Sequence, residues 1–413
     1  MTKMRQALLG VAVFGFCTGM VQGVPAALAD GQKRPVLYEF IQQVTEGHPA
    51  LKASEAALTA ARARARGQSR PLYNPELEIG YENAEVNTKE VGVSQTFDWS
   101  GKRRARAGVG RAETEAAEAA YDLARKTLLT KILQALSDYH TALRVHSVAE
   151  ERVGLSEKFL VLAKRQSEAG EMPRAELLTA QLALAEARAA NNETAAILTV
   201  AEEKLIAIAG QDRQQWPKLA GTPLNTVVVP GTINYESLAE LRLAQAETEV
   251  SRARIRVAKT DRIPDPTVGV RVGEEGRSTL VGLSVAMPIP VRNSYKAEVD
   301  AAGADLIAAQ QDYYSVNRQI RARFDASQKR YISAANAWRT WQTYGAEPLG
   351  EQRALLGKLL EAQEISAVDY LVQLNQTFTT ETASIELNGR LWSAWFDWQN
   401  AGGMVSEWLE TLQ

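Results

Sequence analysis

The 413-residue chain has one cysteine and three histidines. Cys17 has no partner for an intrachain disulfide, and zinc motifs built on paired cysteines are excluded. Of the histidines, His48, His140 and His146, the last two are six apart, which sets them on different helix faces, unlike the i, i+3 or i, i+4 pairs that share one. His140 continues a leucine series and reads as a packed seam residue, so no metal site and no cofactor are expected. Neither sign of charge dominates: 47 basic side chains face 49 acidic ones, for a formal charge of −2, without the clustered basic excess of a nucleic-acid binder. Gly-x-Ser-x-Gly, P-loop and His-Glu-x-x-His motifs are missing, as are the paired Glu and Glu-x-x-His ligands of a helical metalloenzyme, so no enzyme is expected. After the N-terminal stretch no run reaches eighteen apolar residues, which leaves strands as the means of any membrane contact. Only eight Phe and fourteen Pro occur, whereas alanine is abundant, as expected of a helix-rich chain with thin, small-residue seams.

The N-terminus supplies what the rest lacks. Lys3 and Arg5 precede an apolar run from Ala7 to Val21, and Ala27-Leu28-Ala29 stands before Asp30. These are the three parts of a secretory signal, with small residues where a signal peptidase reads and cleavage expected between Ala29 and Asp30. The run is short for a bilayer span. A lipoprotein would need a small residue before Cys17, where Phe16 stands. Loss of residues 1–29 removes two positive charges, for a mature formal charge of −4.

The remainder reads as a duplication. Val91-Gly92-Val93-Ser94 recurs as Val281-Gly282-Leu283-Ser284, and Asn74-Pro75 opens a segment paralleled by Asp265-Pro266. Glu168-Ala169 with Glu176-Leu177-Leu178 is matched by Glu361-Ala362 with Asp369-Tyr370-Leu371. The expected units are residues 30–215 and 235–413, joined by a Pro-, Gly- and Thr-bearing linker over 216–234. Each reads helix, hairpin, very long helix, turn, long helix. In the first, a helix spans Val36 to Arg70, a hairpin lies at about 75–99 and long helices cover about 101–209; in the second, a helix spans Leu238 to Arg262, the hairpin lies at about 266–288 and long helices cover about 294–399. A helix from Gly101 to Glu168 would be on the order of 100 Å long at 1.5 Å per residue, too long to fold into a globule. Leu129, Leu133, Leu136 and Leu143 carry coiled-coil spacing, as do Leu178, Leu182, Ala185 and Ala189 on the returning helix.

The hairpins alternate. Leu77, Ile79 and Tyr81 share one face and Glu76, Glu78 and Glu82 the other; Val91, Val93 and Phe97 oppose Glu90, Ser94 and Thr96, with Gln95 the exception on the apolar side. Val268, Val270 and Val272 oppose Thr267 and Arg271, and Val281, Leu283, Val285 and Met287 oppose Gly282 and Ser284. Period two with one apolar face fits a half-buried soluble sheet or a transmembrane barrel. Four strands cannot close a barrel, and an open edge in hydrocarbon leaves backbone groups unpaired, so closure requires several copies.

These features, with His48-Pro49-Ala50-Leu51, Asn74-Pro75-Glu76-Leu77-Glu78, Phe97-Asp98-Trp99-Ser100-Gly101-Lys102-Arg103 and Pro288-Ile289-Pro290-Val291-Arg292-Asn293, resemble the TolC family of outer-membrane efflux factors over nearly all of the mature chain. The asparagine-proline opening and glycine-lysine-arginine exit are most similar to the CzcC-like branch that serves cobalt, zinc and cadmium efflux. The family usually carries Asn in place of His48 and Leu-Gly in place of Trp99-Ser100. The resemblance implies a mainly α chain with a small β part, whose homotrimer forms a twelve-stranded barrel in the outer membrane and a helical tunnel in the periplasm. It implies a passive channel docked on a periplasmic adaptor (a membrane fusion protein), itself bound to a proton-driven inner-membrane pump. Export of organic compounds is the alternative cargo; a soluble periplasmic coiled-coil adaptor or scaffold is the alternative class, against which the four alternating strands count.

In the family the turns furthest from the hairpins form the periplasmic mouth. The resemblance places Asp369 at a narrowing acidic position, with Glu176 its first-unit counterpart and Val372 where a second acid is often found. Glu361, Glu364, Glu168 and Glu171 add charge nearby. One carboxylate becomes a ring of three in a trimer and would favour cations, while the simpler role for Glu176 or Asp369 is to favour a helix N-terminus. The basic runs Arg62-Ala63-Arg64-Ala65-Arg66 and Lys102-Arg103-Arg104 read as solvated faces near the barrel's periplasmic end.

Overall fold

The computed structural model describes residues 36–83, 85–212, 215–219, 223–225, 233–362 and 365–411. Ala27, Ala29, Asp30 and Glu364 lie outside these residues, as does much of the stretch 216–234. Helices dominate, and one small antiparallel sheet interrupts them.

Two helices replace the single one expected over Val36 to Arg70: α1 (Val36–Gly47) and α2 (Pro49–Gln68). His48 is extended between them, and its Nδ1 accepts the Ala50 N–H at 3.2 Å. Pro49 takes the first helical position, where a missing N–H removes no intrahelical bond. The motif His48-Pro49-Ala50-Leu51 is thus a helix restart.

Strands β1 (Glu76–Glu82) and β2 (Thr88–Thr96) follow, then α3 (Lys102–Glu168) and α4 (Arg174–Ala209). After α5 (Ala239–Asp261) come β3 (Thr267–Glu275) and β4 (Ser278–Ala286). Of the long helices expected over about 294–399, the first is broken into α6 (Lys296–Tyr344) and α7 (Ala346–Ala362). Gly345 stands at the break under the Trp341 ring, where a Cβ would lie 2.3 Å from a ring carbon. The chain ends in α8 (Ala367–Gly402) and a short α9 (Val405–Glu410) that the periodicity did not suggest.

The main core lies midway along the helices. Leu129, Leu133 and Leu136 are buried there with Phe40, Leu391 and Trp395. Trp398 stacks on Tyr331 at 4.9 Å, and Trp395 meets Trp408 edge-on at 4.8 Å. Described parts of the stretch between α4 and α5 are anchored here: Trp216 packs edge-on against Phe40, and the Pro223 carbonyl accepts the Tyr331 hydroxyl at 2.9 Å. A second core, with Phe159 stacked on Tyr370 at 4.9 Å, lies toward the turn between α3 and α4.

The expected seams need correction. Leu143 is 39% exposed, and on α4 all four expected seam residues, Leu178, Leu182, Ala185 and Ala189, are exposed. The buried stripe on α4 is Ala180, Leu184, Ala187, Ala201 and Leu205. Reading the seam from the largest residues misplaced it, because α4 approaches its neighbours through alanines, whose small side chains let backbones come close.

Candidate functional site

The sheet order is β1-β2-β3-β4, all antiparallel, so the two hairpins join through β2 and β3, and among the described residues no strand pairs with the outer edges of β1 and β4. Because side chains alternate along a strand, register decides what each face carries. Leu77, Val93, Val270 and Leu283 form one row across the sheet, and Ile79, Val91, Val272 and Val281 the next. All are exposed, with Ile79 at 76% and Leu283 at 79%. Covering such a side chain is worth roughly 1.5–3 kcal/mol, so this face demands an apolar partner. Phe97, Trp99, Ile289 and Val291 extend the exposed apolar surface past the strand ends. Gln95 breaks the pattern only partly, since its amide donates to the Thr96 carbonyl at 2.7 Å.

The opposite face alternates charge with glycine. One row reads Glu78, Gly92, Arg271, Gly282 and another Gly80, Glu90, Gly273, Leu280. Ser94 donates to Glu78 at 3.0 Å, and Arg271 lies 3.8 Å from Glu90.

Between sheet and helices sits a polar junction built by Phe97-Asp98-Trp99-Ser100-Gly101-Lys102. Asp98 accepts the N–H groups of Lys102 and Arg103 at 2.7 and 2.8 Å, capping α3, while Gly101 takes the left-handed conformation at φ 78° that lets the chain turn from strand into helix. The Trp99 indole donates to the Pro264 carbonyl at 2.8 Å. Lys102 is not the solvated residue expected: it is buried and pairs with Asp265 at 2.9 Å. Asp265 also accepts the Tyr73 hydroxyl at 2.8 Å. Partial burial, that hydrogen bond and the Asp265 charge push the Tyr73 pKa up to about 12. The signal that could have exposed this junction was the Asp265-Pro266 pair standing where the first hairpin has Asn74-Pro75. The other basic run behaves as a surface, with Arg62 on Glu118 at 2.9 Å, both half exposed.

At the far end, α3 stops at Glu168 and the chain turns through Gly170, at φ 78°, and Glu171 into α4, whose first turn holds Glu176. Glu171 is exposed and Glu176 half-buried. Glu361 lies in the last turn of α7. Across from this turn, Ser366 caps α8: its hydroxyl accepts the Asp369 N–H at 3.1 Å and donates to the Asp369 carboxylate at 2.7 Å. Asp369 thus stands in the first turn of α8, its backbone capped by Ser366 and its carboxylate held by the same hydroxyl. Met172, Leu177, Ile365 and Leu371 join the apolar cluster around Tyr370, so both turns rest on one core. Sequence reasoning missed Arg353 of α7, which bridges Glu381 on α8 at 2.7 Å and Glu151 on α3. Hydrogen bonding to Glu151 and the charges of both carboxylates raise its pKa against the opposing effect of burial.

His140 is half-buried, its Nε2 at 2.8 Å from the Pro217 carbonyl, and His146 contacts Thr194 at 3.1 Å. Among the described residues no group of three or more His, Cys, Asp or Glu side chains could hold a metal, and no helix is long and apolar enough to cross a membrane.

Residues 40–211 match the outer membrane efflux protein family. The nickel-cobalt-cadmium resistance protein NccC of Alcaligenes xylosoxydans xylosoxydans is 25% identical over 335 residues, spanning 78% of this chain and 74% of NccC. The nickel and cobalt resistance protein CnrC of Cupriavidus metallidurans is 25% identical over 300 residues, spanning 70% of this chain and 71% of CnrC. Among solved structures, CusC, described in terms of transmembrane channel formation, superposes with a TM-score of 0.74 at 14% identity, over 89% of this chain and 92% of its own.

Proposed function

We propose that this chain, whose residues 40–211 carry the outer membrane efflux protein domain, is the outer-membrane channel subunit of a tripartite efflux system and that its cargo is heavy-metal cations. The observation that carries the reading is the sheet: one face carries two full rows of exposed apolar side chains, with Gln95 toward one end and Lys89, Glu274 and Thr279 toward the other, the opposite face is polar, and among the described residues no strand pairs with the outer edges of β1 and β4. Lipid satisfies the first face and water the second, and only pairing of β4 with β1 of the next copy satisfies the edges. Three copies supply twelve strands and close the barrel as a homotrimer. The metal cargo rests on the likeness to NccC and CnrC. The matched family is one of efflux channels rather than of enzymes.

In this reading two units of like order, residues 30–215 and 235–413, each contribute one hairpin and its long helices, with 216–234 as the connection and residues 1–29 removed on export. The turn end points into the periplasm, toward an adaptor and an inner-membrane pump driven by protons. There Asp369, Glu176, Glu171, Glu361 and Glu364 set negative charge around the mouth, which favours cations.

Outer-membrane fractionation and the mass of the detergent-extracted particle test the assembly, with a heat-sensitive trimer expected; a soluble periplasmic monomer would overturn it in favour of a scaffold. Gene deletion should lower tolerance to nickel, cobalt, zinc or cadmium. Sensitivity to organic toxins alone would overturn the cargo.

A further inference from the structure

The polar face of the sheet carries five carboxylates, Glu76, Glu78, Glu82, Glu90 and Glu275, against a single cation, Arg271. In the trimeric barrel proposed above this face lines the bore, and three arginines reaching into it would oppose the passage of cations. The geometry prevents that reach. Arg271 runs over Gly282, where a Cβ would lie 2.7 Å from its Nε and 2.8 Å from its Cγ. On its other side Gly92 leaves room for the base of the side chain, a Cβ there lying 3.1 Å from the Arg271 Cβ. The guanidinium ends 3.8 Å from the Glu90 carboxylate. Glu90 is seated in the same manner over Gly80, where a Cβ would come within 2.8 Å of its Cγ, while at Gly273 the backbone itself leaves no room, a Cβ there lying 2.3 Å from the Lys89 carbonyl oxygen. None of these four glycines has positive φ, so a left-handed backbone does not account for them; the close approach of neighbouring atoms does, and at Gly80 and Gly282 those atoms are the Glu90 and Arg271 side chains.

We propose that Glu90 and Arg271 determine the ion preference of the barrel bore, with Gly282 the residue that keeps Arg271 on the wall. The arginine is neutralised by Glu90 and held flat, and the remaining carboxylates set the sign of the field. A methyl group at position 282 occupies the space of the Arg271 stem and turns the guanidinium into the bore. The inference rests on the channel reading and goes beyond it, placing a filter in the barrel, apart from the mouth at the turn end.

The test is the reversal potential of the purified trimer in planar bilayers under a potassium chloride gradient, with the heat-sensitive trimer band as the check on folding. Wild type should prefer cations. Gly282→Ala should shift the reversal potential toward zero, Arg271→Ala should shift it further toward cation selectivity, and the double variant should behave as Arg271→Ala does. Glu90→Gln, which keeps shape and removes charge, should shift the potential toward zero by more than Glu78→Gln, because it also frees Arg271. A Gly282→Ala channel indistinguishable from wild type, or one whose shift persists unchanged without Arg271, would overturn the inference while leaving the channel intact. Absence of any conductance from the wild-type trimer would overturn the channel reading and the inference with it.

Discussion

Lys102, in the first turn of α3, and Asp265, two residues before β3, form an ion pair of 2.9 Å with side chains only 10% and 2% exposed. It ties the helix that leaves β2 to the segment that enters β3. Removing one partner of a buried pair strands the other charge and costs about 3–5 kcal/mol, whereas replacing both by apolar groups of similar volume can be neutral. Asp265→Ala should therefore lower the stability of the assembled protein by about 3 kcal/mol, and Lys102→Met with Asp265→Leu by clearly less. Heat-dissociation of the trimer measures both; equal losses would mean that the pair is not the source of the effect.

Tyr73 hydrogen-bonds the same carboxylate, and its pKa of about 12 lies above the ordinary tyrosine value of 10.0. The folded state thus holds this proton more tightly than the unfolded chain does. The resulting stabilisation is complete below pH 10 and is lost as pH rises from about 10 through about 12. Wild type should lose stability across that window more steeply than Tyr73→Phe, as read from alkaline unfolding followed by circular dichroism. Parallel curves would remove Tyr73 from the junction's energetics.

Leu283 stands in the apolar row with Val270, Val93 and Leu77 and is 79% exposed. An arginine on the lipid face of a barrel near the midplane costs about 2–4 kcal/mol per chain. Leu283→Arg should abolish or sharply reduce the outer-membrane trimer, while Ser284→Arg, on the opposite face, should be tolerated far better. Equal yields from the two variants would contradict the assignment of faces.

At the turn end, Ser366→Ala deletes the cap of α8 and leaves the Asp369 charge in place. Loss of such a cap costs about 0.5–2 kcal/mol, so faster proteolysis near Ser366 is expected. Asp369→Ala removes cap partner and charge together and should also weaken cation preference in single-channel recordings. If the two variants conduct alike, Asp369 serves the helix and not the mouth.

Glu240 illustrates how one half-buried carboxylate can serve three helices. It pairs with Lys126 of α3 at 3.1 Å and with Arg323 of α6 at 2.8 Å. Burial alone would raise its pKa, but the attraction of two cations outweighs burial and the pKa is lowered. Lys126 is lowered too, because burial outweighs the help of a carboxylate it must share. A carboxylate with a depressed folded pKa contributes stability that is present above its unfolded pKa and lost as pH falls through the folded one. Glu240→Gln should therefore flatten the loss of stability on acidification, measured by thermal unfolding between neutral and acidic pH. An unchanged acid limb would show that other carboxylates govern it.

Much of the fold was legible along the chain because the forces involved are local. Alternation in Leu77, Ile79 and Tyr81 specifies a strand with two unlike faces, and Gly101, Pro173 and Gly210 stand beside the helix termini they help to set. Long helices follow from uninterrupted alanine, leucine and charge. The breaks at His48 and Gly345 were not legible, since one depends on a side chain turning back to cap its own helix and the other on where the Trp341 ring lies. The α4 seam failed for a related reason: periodicity marks a stripe, but which stripe is buried is decided by the helix that arrives beside it. Lys102 and Asp265, or Arg271 above Gly282, meet only because β2 pairs with β3 and β3 with β4. The local pattern of residues thus determined the kinds of element and their faces, while the neighbours across each interface, and hence which charges are buried, paired or held against a wall, were decided in three dimensions by pairings between segments far apart in the chain.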